Sequence, residues 1–148
     1  LQATGTELHC NTRDALQDLN ALLSAHPKAY VFFDNVLGQL RFQNPATDWQ
    51  QVERRLKQLK VQLKGREWGS LHDRMSGPCT RPIALDSALP VRHPDWHDQY
   101  WLTQLDAQSP WLDHLTQDVF PNGVSVQNFA WNFSAQYRHW LQAGWVRP

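Results

Sequence analysis

The sequence predicts an α+β fold: a small antiparallel β-hairpin or sheet packed by helices, with an aromatic-rich helical C-terminal layer. Three observations carry that prediction. Trp49, Val52, Leu56, Leu59 and Leu63 step by three and four residues, the spacing of one helix face. Two short β-prone segments, 29–34 (AYVFFD) and 39–43 (QLRFQ), flank a gap carrying Asn35 and Gly38, as in a hairpin. Eight tryptophans punctuate the chain, and six of them, Trp96, Trp101, Trp111, Trp131, Trp140 and Trp145, fall in its last third.

In chain order, Asn11 or Thr12 caps a first helix from about Arg13, whose Leu16, Leu19, Leu22 and Leu23 share a face, and the His26-Pro27 step stops it. The hairpin follows and ends at Asn44-Pro45. Thr47 with Gln50 three residues on forms a capping-box pattern, opening a helix over residues 48–64 that stops at Gly65. Residues 69–94 turn to Gly, Pro and Ser, predicting a long irregular connection with a short strand near 83–85. Three helices then fill the final third: about 95–105; 111–119, with Ser109 as cap and Pro110 at its first position; and 126–142, capped by Ser125. The division is one domain, residues 1–148, with a helix-hairpin-helix half (1–68), the connection (69–94) and a helical half (95–148).

Composition narrows the class. At 148 residues and 41% hydrophobic content, the chain suffices for one ordinary core. Fourteen basic residues balance fourteen acidic ones, which argues against a dedicated duplex-binding domain. No apolar run approaches the roughly 20 residues that span a bilayer. The first residue is Leu1, as in a processed, excised or trimmed chain. Cys10 and Cys79 stand far apart and outside any C-x-x-C pair. A Cys10–Cys79 bridge is expected, removing about 4 kcal/mol of chain entropy from the unfolded state. It favours a periplasmic or secreted setting over a cytoplasmic one, two buried free thiols being the alternative.

No residue pattern marks a catalytic or cofactor site: there is no G-x-S-x-G elbow, no phosphate loop and no H-E-x-x-H. The densest set of metal-capable side chains is His93, Asp95 and His97 in HPDWHD, with His72 as a further candidate; its spacing fits no helical ligand pair, because Pro94 leaves His93 outside a helix. The outer face of the 48–64 helix carries Arg54, Arg55, Lys57, Lys60 and Lys64, a local basic patch that reads first as a solvated face with cations toward the C-terminus. Isolated acids such as Asp34, Glu53, Glu67, Asp73 and Asp106 pair only if the fold brings them together.

Most of the tryptophans are expected in the core. Trp131 and Trp145, with Trp96 or Trp101 and Arg138, are the expected aromatic surface. The functional expectation is therefore a non-catalytic protein-interaction or assembly module, such as the soluble or periplasmic part of a bacterial envelope or secretion system. The expected partner is a protein, and no cofactor is called for. The alternatives are a metal-dependent hydrolase built on the His93–Asp98 cluster, and a nucleic-acid-associated accessory factor using the basic patch.

Overall fold

In the computed structural model, residues 16–43, 48–80, 88–89, 98–108 and 110–148 are described. The elements are α1 (Leu19–Ala25), β1 (Val31–Asp34), a 3-10 helix (Leu37–Phe42), α2 (Trp49–Gln62), β2 (Trp68–Pro78), β3 (Ala88–Leu89), α3 (Asp98–Gln104), β4 (Leu112–Asp113), β5 (Val126–Ser134) and β6 (Tyr137–Val146). The strands form one sheet in the order β1-β2-β6-β5-β3, with β4 on the free part of the β2 edge. β1 runs parallel to β2, with α2 as the crossover between them, and every other pairing is antiparallel. The α+β class holds.

α2 forms as its periodicity requires. Val52, Leu56 and Leu59 are buried along it and Leu63 just past it, while the first residue of the stripe, Trp49, is exposed. Its cap is Asp48, which accepts from the Gln51 N–H at 2.7 Å and so satisfies one orphan donor of the first turn; Thr47 lies outside the described residues. Gly65 takes the left-handed conformation just beyond the helix (φ 75°). α1 stops at Ala25 with His26 as its C-cap, as the following proline dictates, but begins at Leu19 and not near Arg13, residues 16–18 forming a turn. These helices cover one face of the sheet, burying Leu19, Leu23, Val52, Leu56, Leu59 and Leu63 against Phe33 and Trp68. A second core cluster, toward the other end of the sheet, packs Trp101 and Leu105 against Met75, Trp111 and Trp140.

Four expectations are corrected. Residues 37–42 form a 3-10 helix instead of a hairpin strand, since Leu37 and Leu40, three apart, both reach the core. Residues 68–78, expected as the start of an irregular connection, are the central strand. Its Ser70, His72, Asp73, Arg74 and Ser76 are all buried; Ser70, Asp73, Arg74 and Ser76 meet partners from other elements, whereas His72 bonds only Ser70 of the same strand and its Nε2 has no partner among the described residues. The helix expected over 111–119 is replaced by β4 and a turn with Leu115 at φ 62°. The helix expected over 126–142 is the β5–β6 hairpin, closed by the two-residue turn Ala135-Gln136. The segment expected as a strand near 83–85 lies outside the described residues.

Cys79 is buried with its thiol free, and its backbone pairs with Ala107 and Gln136; the other half of the expected bridge is not among the described residues. Cys10 lies outside the described residues. No helix among them is long and apolar enough to cross a membrane.

β2 carries a bulge at its centre. The register with β6 shifts between Asp73 and Met75, leaving Arg74 as the extra residue. Its guanidinium, 5% exposed, pairs with Asp113 and Asp98 at 2.5 Å each and lies 5.7 Å from the Trp140 ring centre. The alternation on either side of the bulge leaves both Asp73 and Ser76 on the face opposite the helices.

Candidate functional site

Three polar side chains distant in sequence converge beside the bulge: Asp73 on β2, His139 on β6 and His114 just after β4. Asp73 is fully buried, and His139 Nδ1–H donates to its Oδ1 at 2.8 Å. Its Oδ2 accepts from Asn35 Nδ2 at 3.0 Å and from Gln39 Nε2 at 3.4 Å. Asn35 returns the contact, its Oδ1 accepting from the Asp73 N–H at 3.1 Å. Asn35 sits at φ 53°, a left-handed conformation that asparagine adopts more readily than most residues. Gly38 lets the 3-10 helix approach this closely, because a Cβ there would lie 2.6 Å from Asn35 Oδ1 and 2.8 Å from the Asp73 nitrogen.

His114 is held by its back. Its Nδ1–H donates to the Gly38 carbonyl at 2.9 Å, which leaves Nε2 as an acceptor; the Ser76 hydroxyl lies 2.9 Å from it. Tyr137 OH is 3.3 Å from the same hydroxyl, and Thr116 Oγ1 donates to the Asp73 carbonyl at 2.7 Å.

The electrostatics follow from burial and hydrogen bonding. Burial by itself would raise the Asp73 carboxyl, but the hydrogen bonds from His139 and Asn35 outweigh it, with help from the neighbouring imidazoles, and hold it below the ordinary value. Burial lowers His114 and overcomes the opposing pull of the Gly38 carbonyl and Asp73, keeping the ring neutral. His72, on the opposite face of β2, is lowered to about 4 by burial against the opposing attraction of Asp73. The arrangement therefore presents an ionised carboxylate and a neutral, fixed imidazole. Their ligand atoms and that of His139 all lie within 4.8 Å of one another, the only such set of three among the described residues.

Around this cluster the helix-free face of the sheet is aromatic. The His139 ring lies 5.0 Å from Trp131, 5.6 Å from Phe133 and 5.7 Å from Tyr137, centre to centre. At the other end of the same face, Trp145 lies 6.3 Å from Phe32 and 6.5 Å from Tyr30, and its indole N–H donates to Glu67 at 2.6 Å. Trp131, Trp145, Phe32, Phe133 and Tyr30 are each 40% exposed or more. Half-buried Leu71, Phe129, Leu141 and Ala143 lie between the two clusters.

No protein-family model, curated protein or solved structure matches this chain.

Of the residues expected at an aromatic surface, Trp131 and Trp145 are exposed, though as alternate positions of strands and not as the back of a helix. Trp101 and Arg138 are interior. Trp101 packs 5.8 Å from Trp140, and the Arg138 guanidinium donates to Asn132 Oδ1 and the Leu105 carbonyl, so neither belongs to that surface. Trp96, His93, Asp95 and His97 lie outside the described residues. His72 is walled in against Phe120 and does not join Asp73, His114 and His139. In the basic patch, Lys57 pairs with Glu53 at 2.7 Å, Arg55 donates to Gln43 and Lys60 to the Asp118 carbonyl; Arg54 and Lys64 are exposed. Sequence reasoning named Asp73 only as an isolated acid and missed His114, His139 and Asn35. No local pattern joins residues 38 to 66 positions apart.

Trp145 lies directly on Gly69, where a Cβ would meet the indole at 2.2 Å. Gly69→Ala is expected to lever the ring off the sheet, costing about 1–3 kcal/mol and shifting the tryptophan fluorescence. An unchanged spectrum and unchanged urea midpoint would contradict that packing.

Proposed function

We propose that this protein is a non-catalytic protein-interaction module, and that its binding surface is the helix-free face of the sheet. The observation that carries the reading is the pair of exposed aromatic clusters on one sheet face, Tyr30–Phe32–Trp145 and Trp131–Phe133–Tyr137, with smaller apolar side chains between them. Aromatic residues dominate the energetics of protein interfaces because they bury a large area at low entropic cost.

Charge and shape indicate the partner. Apart from the buried Asp73, the formal charges of the face lie at its margin, where Glu67 and Arg147 approach each other at 3.9 Å, and Asp34 lies on the edge strand. A surface with no cations at its centre does not suit a polyanion. Because Glu67 takes the Trp145 N–H, the indole offers only its apolar body. From Trp145 to His139 is six strand steps, roughly 20 Å, and the span between the clusters is lined by Leu71, Leu141 and Ala143. That trough accommodates one helix, about 10 Å across, so the partner suited to it is a helix with an aliphatic face.

A photo-crosslinking amino acid at Ala143 tests this in the cell that makes the protein. A discrete adduct with one other protein is expected from Ala143, none from Arg54 on the opposite side of the molecule, and none from Ala143 when Trp131 and Trp145 are both serine. Absence of an adduct, or an adduct indifferent to those substitutions, overturns the reading.

A further inference from the structure

We infer that Asp73, His114 and His139 form a binding site for one divalent transition-metal ion, of the borderline class that includes zinc, iron and cobalt. The cluster lies beneath the aromatic face, and its chemistry is independent of what that face binds.

Two imidazole nitrogens and one carboxylate oxygen suit borderline divalent ions, whereas magnesium and calcium favour oxygen alone. The three ligand atoms come from β2, β6 and the segment after β4, and all lie within 4.8 Å of one another. Ligands bound at about 2.1 Å stand roughly 3.4 Å apart around a tetrahedral ion, so Asp73 Oδ1 and His139 Nδ1, at 2.8 Å, part by about half an ångström to take one between them. The remaining closure falls to side-chain rotation of His139, which at 16% exposure is the ligand nearest the surface.

The supporting groups are also in place. A metal-bound histidine characteristically donates its second N–H to a carbonyl or carboxylate, which fixes the tautomer and turns the other nitrogen toward the ion. His114 does this through Gly38, leaving Nε2 for the ion. A ligating carboxylate is typically hydrogen-bonded on its other oxygen, as Asn35 and Gln39 do to Asp73 Oδ2, freeing Oδ1. His139 ligates through Nδ1 as its Nε2–H tautomer, giving up to the ion the place of the proton that Asp73 Oδ1 accepts in the metal-free protein. The Ser76 hydroxyl, 2.9 Å from His114 Nε2, rotates away when the lone pair is taken by the ion. With three protein ligands, a four-coordinate ion would keep one position for water or an incoming group.

Cobalt(II) titration of the purified, chelator-stripped protein reads the site directly, because the visible d–d bands of a bound ion report its ligand field. Saturation at one equivalent is expected, with displacement by zinc and a rise in Tm on zinc addition. His139→Asn, at the ligand nearest the surface, is expected to abolish the bands while keeping the wild-type circular dichroism. Gln39→Ala, which loosens the carboxylate without removing a ligand, is expected to weaken cobalt binding about tenfold. Absence of stoichiometric bands in the wild type, or bands that survive unchanged in both His139→Asn and Asp73→Asn, overturns the assignment.

Discussion

Asp73→Ala is expected to destabilise the metal-free protein by about 3–5 kcal/mol, measured by urea denaturation in the presence of a chelator. The carboxylate is fully buried and accepts from His139, Asn35 and Gln39, donors that reach it from β6, the end of β1 and the 3-10 helix. Removing it strands all three donors at once, two of them part-buried amides, and leaves a cavity among them. A loss of that size is a large fraction of the 5–15 kcal/mol typical of a domain. Asp73→Asn keeps the volume and one acceptor oxygen, so it is expected to cost distinctly less. A loss below about 1 kcal/mol for the alanine variant would mean that the carboxylate does not organise this end of the sheet.

Acid is expected to weaken the protein from about pH 6.5 downward, before its carboxylates begin to protonate, because of His72. The folded-state value of this ring is about 4, against an ordinary value of 6.5, and burial is the main cause. Between those values the unfolded chain binds a proton that the folded one refuses, so stability rises with pH across that window. On acidification from 7, the stability is fully present above about 6.5 and falls progressively toward pH 4, by about 3 kcal/mol from His72 alone. His114, also lowered by burial, adds to the loss in the same direction. Asp73 enters later: its value is depressed, so its contribution persists until the pH drops below the ordinary carboxylate range. The check is the urea midpoint as a function of pH, with chelator present, for the wild type and His72→Asn. Asparagine retains a partner for the Ser70 hydroxyl but does not titrate. A much shallower slope between pH 6.5 and 4 is expected, and an unchanged slope would show that His72 is not the group responsible.

The elements most legible in the sequence are those whose order is local. α2 has one apolar stripe at a 3.6-residue period and stops before the expected Gly65, although its cap is Asp48 and the expected capping-box residue Thr47 lies outside the described residues. α1 stops where His26-Pro27 requires, and β1 is a short β-prone run whose Phe33 reaches the core. The β5–β6 hairpin was legible neither as strand nor as turn. Both faces of its strands carry apolar side chains, since Ala130 and Trp140 pack in the core while Phe129, Trp131 and Phe133 line the open face. That erases the two-residue alternation. Four-residue spacings such as Phe129 to Phe133 then satisfy a helix and a strand equally well, and the Ala135-Gln136 turn has neither Gly nor Asn to announce a hairpin. β2 was hidden for the opposite reason. Its Gly69, Asp73, Gly77 and Pro78 read as loop, and its polar residues become tolerable in a strand only when Asn35, His114 and His139 arrive from elsewhere.

Local sequence was thus enough for the α+β class, for the helix that covers one face of the sheet, and for the presence of more tryptophan than one small core needs. Which tryptophans remain outside, and which acid meets which histidine, depended on the folded chain. A helix writes its period into consecutive residues, whereas a central strand and a cluster of buried ligands are defined by partners up to 66 residues away, whose identity emerges only when the chain closes on itself.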